Sequence, residues 1–317
     1  MRQNRSASLS LANAISPILA LFLLFLSSCG SHTQHRSLRT PAINLSQADE
    51  NVILDYQIGP TWDKSEVSYD AEDDASAAVR RTTLATAKLS VMFSTGTGFI
   101  VGEKNGQVLL ATNHHVIENQ AYCNETKVTF EALGFKKLMC DQVITTDTEL
   151  DITLFTLKST DPVTTKKLLD STLPLSKDPP IKGQKLLTMG YGFAGNDTSR
   201  MMVDQSTDCK TYSETGDTRY MADPDVVNPG PYKTWVFATG CDVSHGDSGS
   251  AIVDKSTGRV VGILSTGKIP KETRVRSREY LQKIYQDNAE DIWTELTYVV
   301  PFSKIFEKLD AFLPKAN

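Results

Sequence analysis

Neither a long apolar run nor a surplus of one charge marks this chain of 317 residues. Lysine and arginine number 33 against 38 aspartates and glutamates, and no stretch is strongly basic. A sequence-independent grip on nucleic acid therefore has no electrostatic footing. The most apolar stretch, residues 18–26, is too short to cross a bilayer comfortably as a helix. Cysteine is scarce, at positions 29, 123, 140, 209 and 241, and no two sit at the close spacing of zinc ligands. Neither a metal nor a cofactor is expected. What remains is an ordinary apolar content of 40%, enough for one or two globular domains.

The chain opens with an export signature. Arg2 and Arg5 precede the apolar run, which ends in Leu26-Ser27-Ser28-Cys29-Gly30. That ending resembles a bacterial lipoprotein box with Cys29 as the acylated residue; plain signal cleavage nearby is the alternative. Acyl chains on one cysteine hold a protein to a membrane surface without a spanning helix. Gly30, in place of aspartate, fits an outer-membrane address in Gram-negative relatives. Residues 1–29 thus read as a leader, and 30–80, polar and acidic, as a tether of which 53–62 could lie against the domain. The other four cysteines are even in number, as expected of an exported chain with two disulfides. Three pairings are open, and nearest neighbours give Cys123–Cys140 with Cys209–Cys241.

Chemistry concentrates in three downstream stretches. Residues 240–252 read Gly-Cys-Asp-Val-Ser-His-Gly-Asp-Ser-Gly-Ser-Ala-Ile, a tight turn running into a buried strand. Glycines 246 and 249 let the backbone fold closely around Ser248. Such a turn can aim the amides of Gly246 and Ser248 at one spot, where an oxyanion could sit. A serine hydroxyl at its ordinary pKa is a poor nucleophile, so it needs a base and a group to orient that base. Upstream, residues 109–117 read Leu-Leu-Ala-Thr-Asn-His-His-Val-Ile, an apolar strand entering a turn, preceded by the glycine-rich strand 96–101. Residues 149–155 put Asp151 at the mouth of another apolar strand. Taken singly, each has a plainer reading: an ordinary turn, a surface histidine, a strand-edge charge. Taken together, the plainer readings need three coincidences.

These pieces resemble the chymotrypsin-like serine peptidases, in their bacterial exported branch. Gly246-Asp247-Ser248-Gly249 matches the family's serine motif, Thr112 to Val116 its histidine motif and Asp151 to Leu154 its aspartate motif, in the family's order. The resemblance spans residues 84–313 and implies His115 as base, Asp151 as its orienter and Ser248 as nucleophile. His114 is then a neighbour without a chemical role. The family's fold is all-β, two six-stranded antiparallel barrels with the triad in the cleft between them and a helix at the end. Short alternating strands at 84–93, 98–101, 108–112, 127–133, 142–146 and 151–157 agree with the first barrel. A second set at 184–190, 200–204, 234–239, 250–253, 259–265 and 297–300 agrees with the other. The peptidase domain is thus expected over 81–317, its barrels at about 84–158 and 183–300, joined by a Pro- and Lys-rich link at 159–182. Helical spacing predicts helices at 277–293 and 302–313, and no room is left for a peptide-binding PDZ module.

The resemblance also bears on specificity. Trypsin-like members seat a basic side chain on an aspartate six residues before the serine, here Asp242. The wall strand becomes Ser265-Thr266-Gly267, so the substrate backbone would pair with Ser265 and Gly267. The plainer reading is that Asp242 follows Cys241 and caps a turn. Leu264 stands where the glutamate-specific branch has a histidine, which argues against that preference. In trypsin the aspartate before the serine pairs with an N-terminus freed by cleavage; Asp247 holds that place, yet no Ile-Val-Gly-Gly occurs. Arg80-Arg81 before Thr82 is a processing candidate, but no cleavage is expected to be needed. The implied partner is a protein or peptide substrate, with the membrane surface reached through a lipid anchor. Two other readings stand beside the peptidase: a binding-only pseudoprotease and a regulatory peptidase of narrow specificity.

Overall fold

The structure, a computed structural model, describes residues 53–67, 76–92, 94–192, 200–226 and 231–314. The leader, Cys29 and most of the expected tether lie outside these residues. Among the described residues no helix is long and apolar enough to cross a membrane.

The described chain begins with residues 53–67, which carry the short strand β1 (Ser65–Glu66), followed by helix α1 (Ala77–Ala85). Ser76 caps α1, its hydroxyl accepting from the Val79 amide. Six strands come next: β2 (Thr86–Val91), β3 (Ser94–Lys104), β4 (Gln107–Thr112), β5 (Thr126–Phe130), β6 (Phe135–Asp147) and β7 (Ile152–Leu157). They close into a barrel in the order β2-β3-β4-β7-β6-β5. Alternate residues of β2 and β5, Leu89 and Val91 with Val128 and Phe130, point inward and meet Leu110 and Phe155. Each such side chain, fully withdrawn from water, contributes roughly 1.5–3 kcal/mol. Helix α2 (Gln120–Glu125), capped by Asn119, carries Cys123, which is bonded to Cys140 on β6.

The link at 159–182 holds a helix that composition did not announce, α3 (Pro162–Asp170). Its local signals are sound: Asp161 caps it and Pro162 takes the first turn, where a missing N–H costs nothing.

Seven strands build the second half: β8 (Leu186–Gly190), β9 (Met202–Asp204), β10 (Arg219–Met221), β11 (Thr234–Thr239), β12 (Ala251–Asp254), β13 (Val260–Gly267) and β14 (Thr297–Pro301). With β1 they form an eight-stranded sheet ordered β1-β9-β8-β12-β13-β14-β11-β10, where a six-stranded barrel was expected. The extra strands are β1 and β10 at its two ends. Residues 209–212 run between the β8 and β11 edges, the Leu186 amide donating to the Cys209 carbonyl and the Tyr212 amide to that of Ala238. The sheet therefore curls toward closure through isolated bridges, and the Cys209–Cys241 disulfide fastens the same place. The expected long helix stops early: α4 (Arg278–Asp287) ends at Asn288, which is left-handed at φ 48, before a short 3-10 turn at Glu290–Trp293. Helix α5 (Phe302–Leu309) buries Phe302, Ile305 and Leu309 in the large core, where Phe302 meets Phe99 of β3 edge-on.

Residues 53–67 pack against the domain. Ile53, Tyr56, Ile58 and Lys64 are buried, and β1 pairs with β9 through Ser65–Val203 and Glu66–Met202. Val67 is buried as well, while Leu54 and Trp62 are half-buried.

Candidate active site

Strand register explains how the histidine and the aspartate meet. Thr112 at the end of β4 pairs with Thr153 near the start of β7, so the chain leaving one strand passes the chain entering the other. His115 and Asp151 occupy those adjoining ends. The Asn113 side chain donates to the Asp151 carbonyl at 2.9 Å and locks the two loops together. The Asp151 backbone is left-handed at φ 38, a conformation that costs free energy for any residue but glycine. The cost is met by what its carboxylate gathers. His115 Nδ1 lies 3.1 Å from Oδ1 and 2.9 Å from Oδ2, and the His115 amide donates to Oδ1 at 3.1 Å. Ser265 Oγ donates to Oδ2 at 2.6 Å.

The imidazole pKa follows from this setting. Crowding by neighbouring atoms works against the charged ring, but the Asp151 charge and its hydrogen bond outweigh it and raise the pKa. Asp223 and Glu118 add to the upward pull. The ring edge away from Asp151 stays reachable, since the His115 side chain is 49% exposed while that of Asp151 is 12% exposed. His114 has its Nδ1 2.7 Å from Thr146 Oγ1 on β6.

Ser248 enters from the second half, on the turn before β12. Gly249 donates to the Leu264 carbonyl and the Leu264 amide to that of Ser250, which ties the turn to β13. Glycine is required at 249, where φ is 86 and a Cβ would collide with the Thr97 carbonyl. Gly246 is likewise left-handed, at φ 97. Thr97 of β3 reaches across from the barrel: its hydroxyl donates to the Gly246 carbonyl at 2.9 Å and accepts from the Tyr191 amide at 3.0 Å. Its own amide donates to the Ser248 carbonyl at 2.9 Å. Among the described residues, the amides of Gly246 and Ser248 donate to no protein acceptor.

His115, Asp151, Ser248, Ser265 and Gly267 line one cavity of about 570 Å³, open to solvent. Asp242 does not. One of its oxygens accepts the Ile58 amide at 2.7 Å and the other the Asp63 amide at 2.8 Å, while its own amide donates to Asp204. The expected pocket floor is thus already occupied by the chain's own residues 58–63. Burial, with the Asp204 charge beside it, holds the Asp242 carboxyl well above the usual range. Besides Asp151, the carboxylates that face the cavity are Glu118 and, from the loop after β10, Asp223 and Asp225. Asp223 accepts from Thr266 Oγ1 at 2.7 Å, and Asp225 lies 4.0 Å from the His245 ring. Spacing could not have found these two, since nothing local ties that loop to the serine turn. Behind Gly267 sits Lys271, fully buried and donating to the Leu296 carbonyl; burial pulls its pKa down to about 7.

This arrangement matches a known family, trypsin-like peptidases, whose domain aligns with residues 96–263. The chain belongs to that family, and it is a serine endopeptidase, a hydrolase. Among solved structures it is similar to the Rv3671c protease of M. tuberculosis in its active form. That likeness has a TM-score of 0.50 and 18% identity over 76% of this chain and 86% of the other. An inactive serine-to-alanine form of Rv3671c from M. tuberculosis H37Rv aligns at a TM-score of 0.47, with 20% identity over 78% of this chain and 98% of that one. No curated protein matches the chain. At these identities the solved structures speak for the fold alone.

Proposed function

We propose that Ser248 is the nucleophile, His115 its general base and Asp151 the group that orients the base. The observation carrying this reading is the two-oxygen contact of Asp151 with His115 Nδ1, which leaves Nε2 for a hydroxyl proton in the cavity that Ser248 shares. Ser248 Oγ adds to the scissile carbonyl carbon as its proton passes to His115. The carbonyl oxygen takes up the electron pair and is held by the free amides of Gly246 and Ser248. Collapse breaks the C–N bond, and His115 returns the proton to the departing amine. Water then repeats the sequence on the acyl-enzyme, releasing the acid and the free serine.

The cavity's charge supports a preference for cationic side chains, because Glu118, Asp223 and Asp225 line it against Lys233. Recognition of arginine or lysine by Asp242 has no support, since both its oxygens are engaged. The two disulfides suit an extracytoplasmic location. Anchoring through acylated Cys29 at the outer membrane is the reading its sequence context supports, and Cys29→Ser should move the protein from the membrane to the soluble fraction.

An organophosphonate probe tests the triad. Mass spectrometry should find the label on Ser248, and His115→Ala should slow labelling strongly. Label elsewhere, or undiminished label in the His115 variant, would favour a binding-only scaffold.

A further inference from the structure

The aspartate just before the nucleophile is paired with a cation 183 positions earlier in the chain. Lys64 Nζ lies 2.5 Å from Asp247 Oδ2, with the two side chains 1% and 2% exposed. Either charge alone in that place would be strongly unfavourable, so each fixes the other. The same carboxylate oxygen accepts the Ser244 amide at 2.8 Å and the Ser244 hydroxyl at 3.1 Å. Gly190 and Gly192 leave room for it, because a Cβ at either position would collide with an Asp247 oxygen.

Lys64 does not act alone. Residues 53–67 cross the serine turn at three points within the six residues before Ser248. The amides of Ile58 and Asp63 hold Asp242, the Tyr56 ring stands edge-on to His245 with centroids 5.9 Å apart, and Lys64 holds Asp247. Two further bonds fix the segment from the other side, Gly59 amide to Val275 carbonyl and Lys271 amide to Asp55 carbonyl.

We infer that Lys64 is a positioning residue for the oxyanion site, and that residues 53–67 are a built-in strap that keeps the enzyme competent without proteolytic activation. This rests on the reading of Ser248 as nucleophile. Asp247 lies between the two amides assigned to the oxyanion, so its carboxylate sets the planes of the peptides on both sides. Pairing it with an internal ammonium fixes those planes once the strap is seated. Cleavage after Arg81 offers no alternative route, because that bond lies inside α1, where Thr82 and Thr83 are buried, and Asp247 already has its cation.

The experiment compares full-length wild type, Lys64→Met and Lys64→Arg by steady-state kinetics on a peptide amide and by the rate of phosphonate labelling. In Lys64→Met, kcat and labelling rate are expected to fall on the order of 100-fold, as when an oxyanion donor is lost, with KM changed less than about threefold. Lys64→Arg should recover much of that loss. A role in stability alone would lower the melting temperature and leave kcat of the folded enzyme at the wild-type value, which overturns the inference. Should Lys64→Met not fold, Lys64→Met with Asp247→Asn removes both charges together. That pair is expected to fold and stay at least about tenfold slow, because a neutral pair restrains the turn less. Wild-type kcat in it overturns the inference. Failure of wild type to label at Ser248 would instead fell the triad, and this role with it.

Discussion

The two halves of the molecule place their parts of the site by different means. In the barrel, the histidine and the aspartate sit at the ends of paired strands, and the β4–β7 ladder brings them together through backbone hydrogen bonds. In the second half, the serine sits on a turn that backbone bonds join to β13 on its far side only, through Gly249, Ser250 and Leu264. The residues before the serine are pinned by groups from far along the chain: Thr97 from the barrel, and the Lys64 side chain with the Ile58 and Asp63 amides from the strap. Register is robust to single substitutions, because many bonds share the work. A turn held by a few long-range pins is not. The base and its orienter should therefore fail only when they are themselves changed, while the nucleophile should be sensitive to residues that never touch substrate.

The largest expected effect falls on the barrel side. Asp151→Asn keeps the shape but loses the charge, and kcat should drop by about 10⁴ as the imidazole loses its tautomer and its stabilised cation. The pH profile sharpens the same point. The His115 pKa is raised in the folded protein, so the ion pair with Asp151 adds stability below the ordinary histidine pKa and loses it as pH rises through the raised value. Since the base must be neutral, kcat/KM should climb through a pKa above about 6.5. In Asp151→Asn that acid limb should move down, because crowding remains and its opponent is gone. An unmoved limb would mean that His115 is not the titrating base.

On the turn side the effects are smaller and remote. Thr97→Val deletes one hydroxyl that bridges the Gly246 carbonyl and the Tyr191 amide. It should cost about 1–2 kcal/mol of stability, read by urea unfolding, with a drop in kcat of roughly tenfold. Loss of stability with unchanged kcat would show that the barrel contact does not tune the turn. Arg80→Gln with Arg81→Gln should change nothing in rate or in the N-terminus of the active protein. Lost activity there would revive a need for processing and blur the contrast between the halves.

Much of this was legible before any coordinates. The three motifs, their order and most strands of the first barrel follow from local patterns, because strands alternate with a period of two and glycine marks turns. The barrel itself was implied by the resemblance, and the disulfide pairing was the nearest-neighbour choice among three, which the structure contains. Asp242 misled, since six residues of spacing cannot say which face of a turn a carboxylate takes; here it faces the strap rather than the cavity. Lys64 could not be foreseen, because a lysine in a polar stretch reads as solvated until a buried carboxylate claims it. Asp223 and Asp225 were out of reach for a similar reason, their loop being tied to the site through distant residues such as Thr266, Ile269 and His245. Helices α1 and α3 were missed although capped, for short helices carry little periodicity.

The most direct trial is a crystal structure of full-length enzyme inactivated by a peptidyl phosphonate. The phosphorus should be bonded to Ser248 Oγ, with one of its oxygens about 2.7–3.1 Å from the amides of both Gly246 and Ser248 and the Lys64–Asp247 pair intact beneath them. An adduct on another residue, or that oxygen turned to solvent with the two amides unused, would contradict the account.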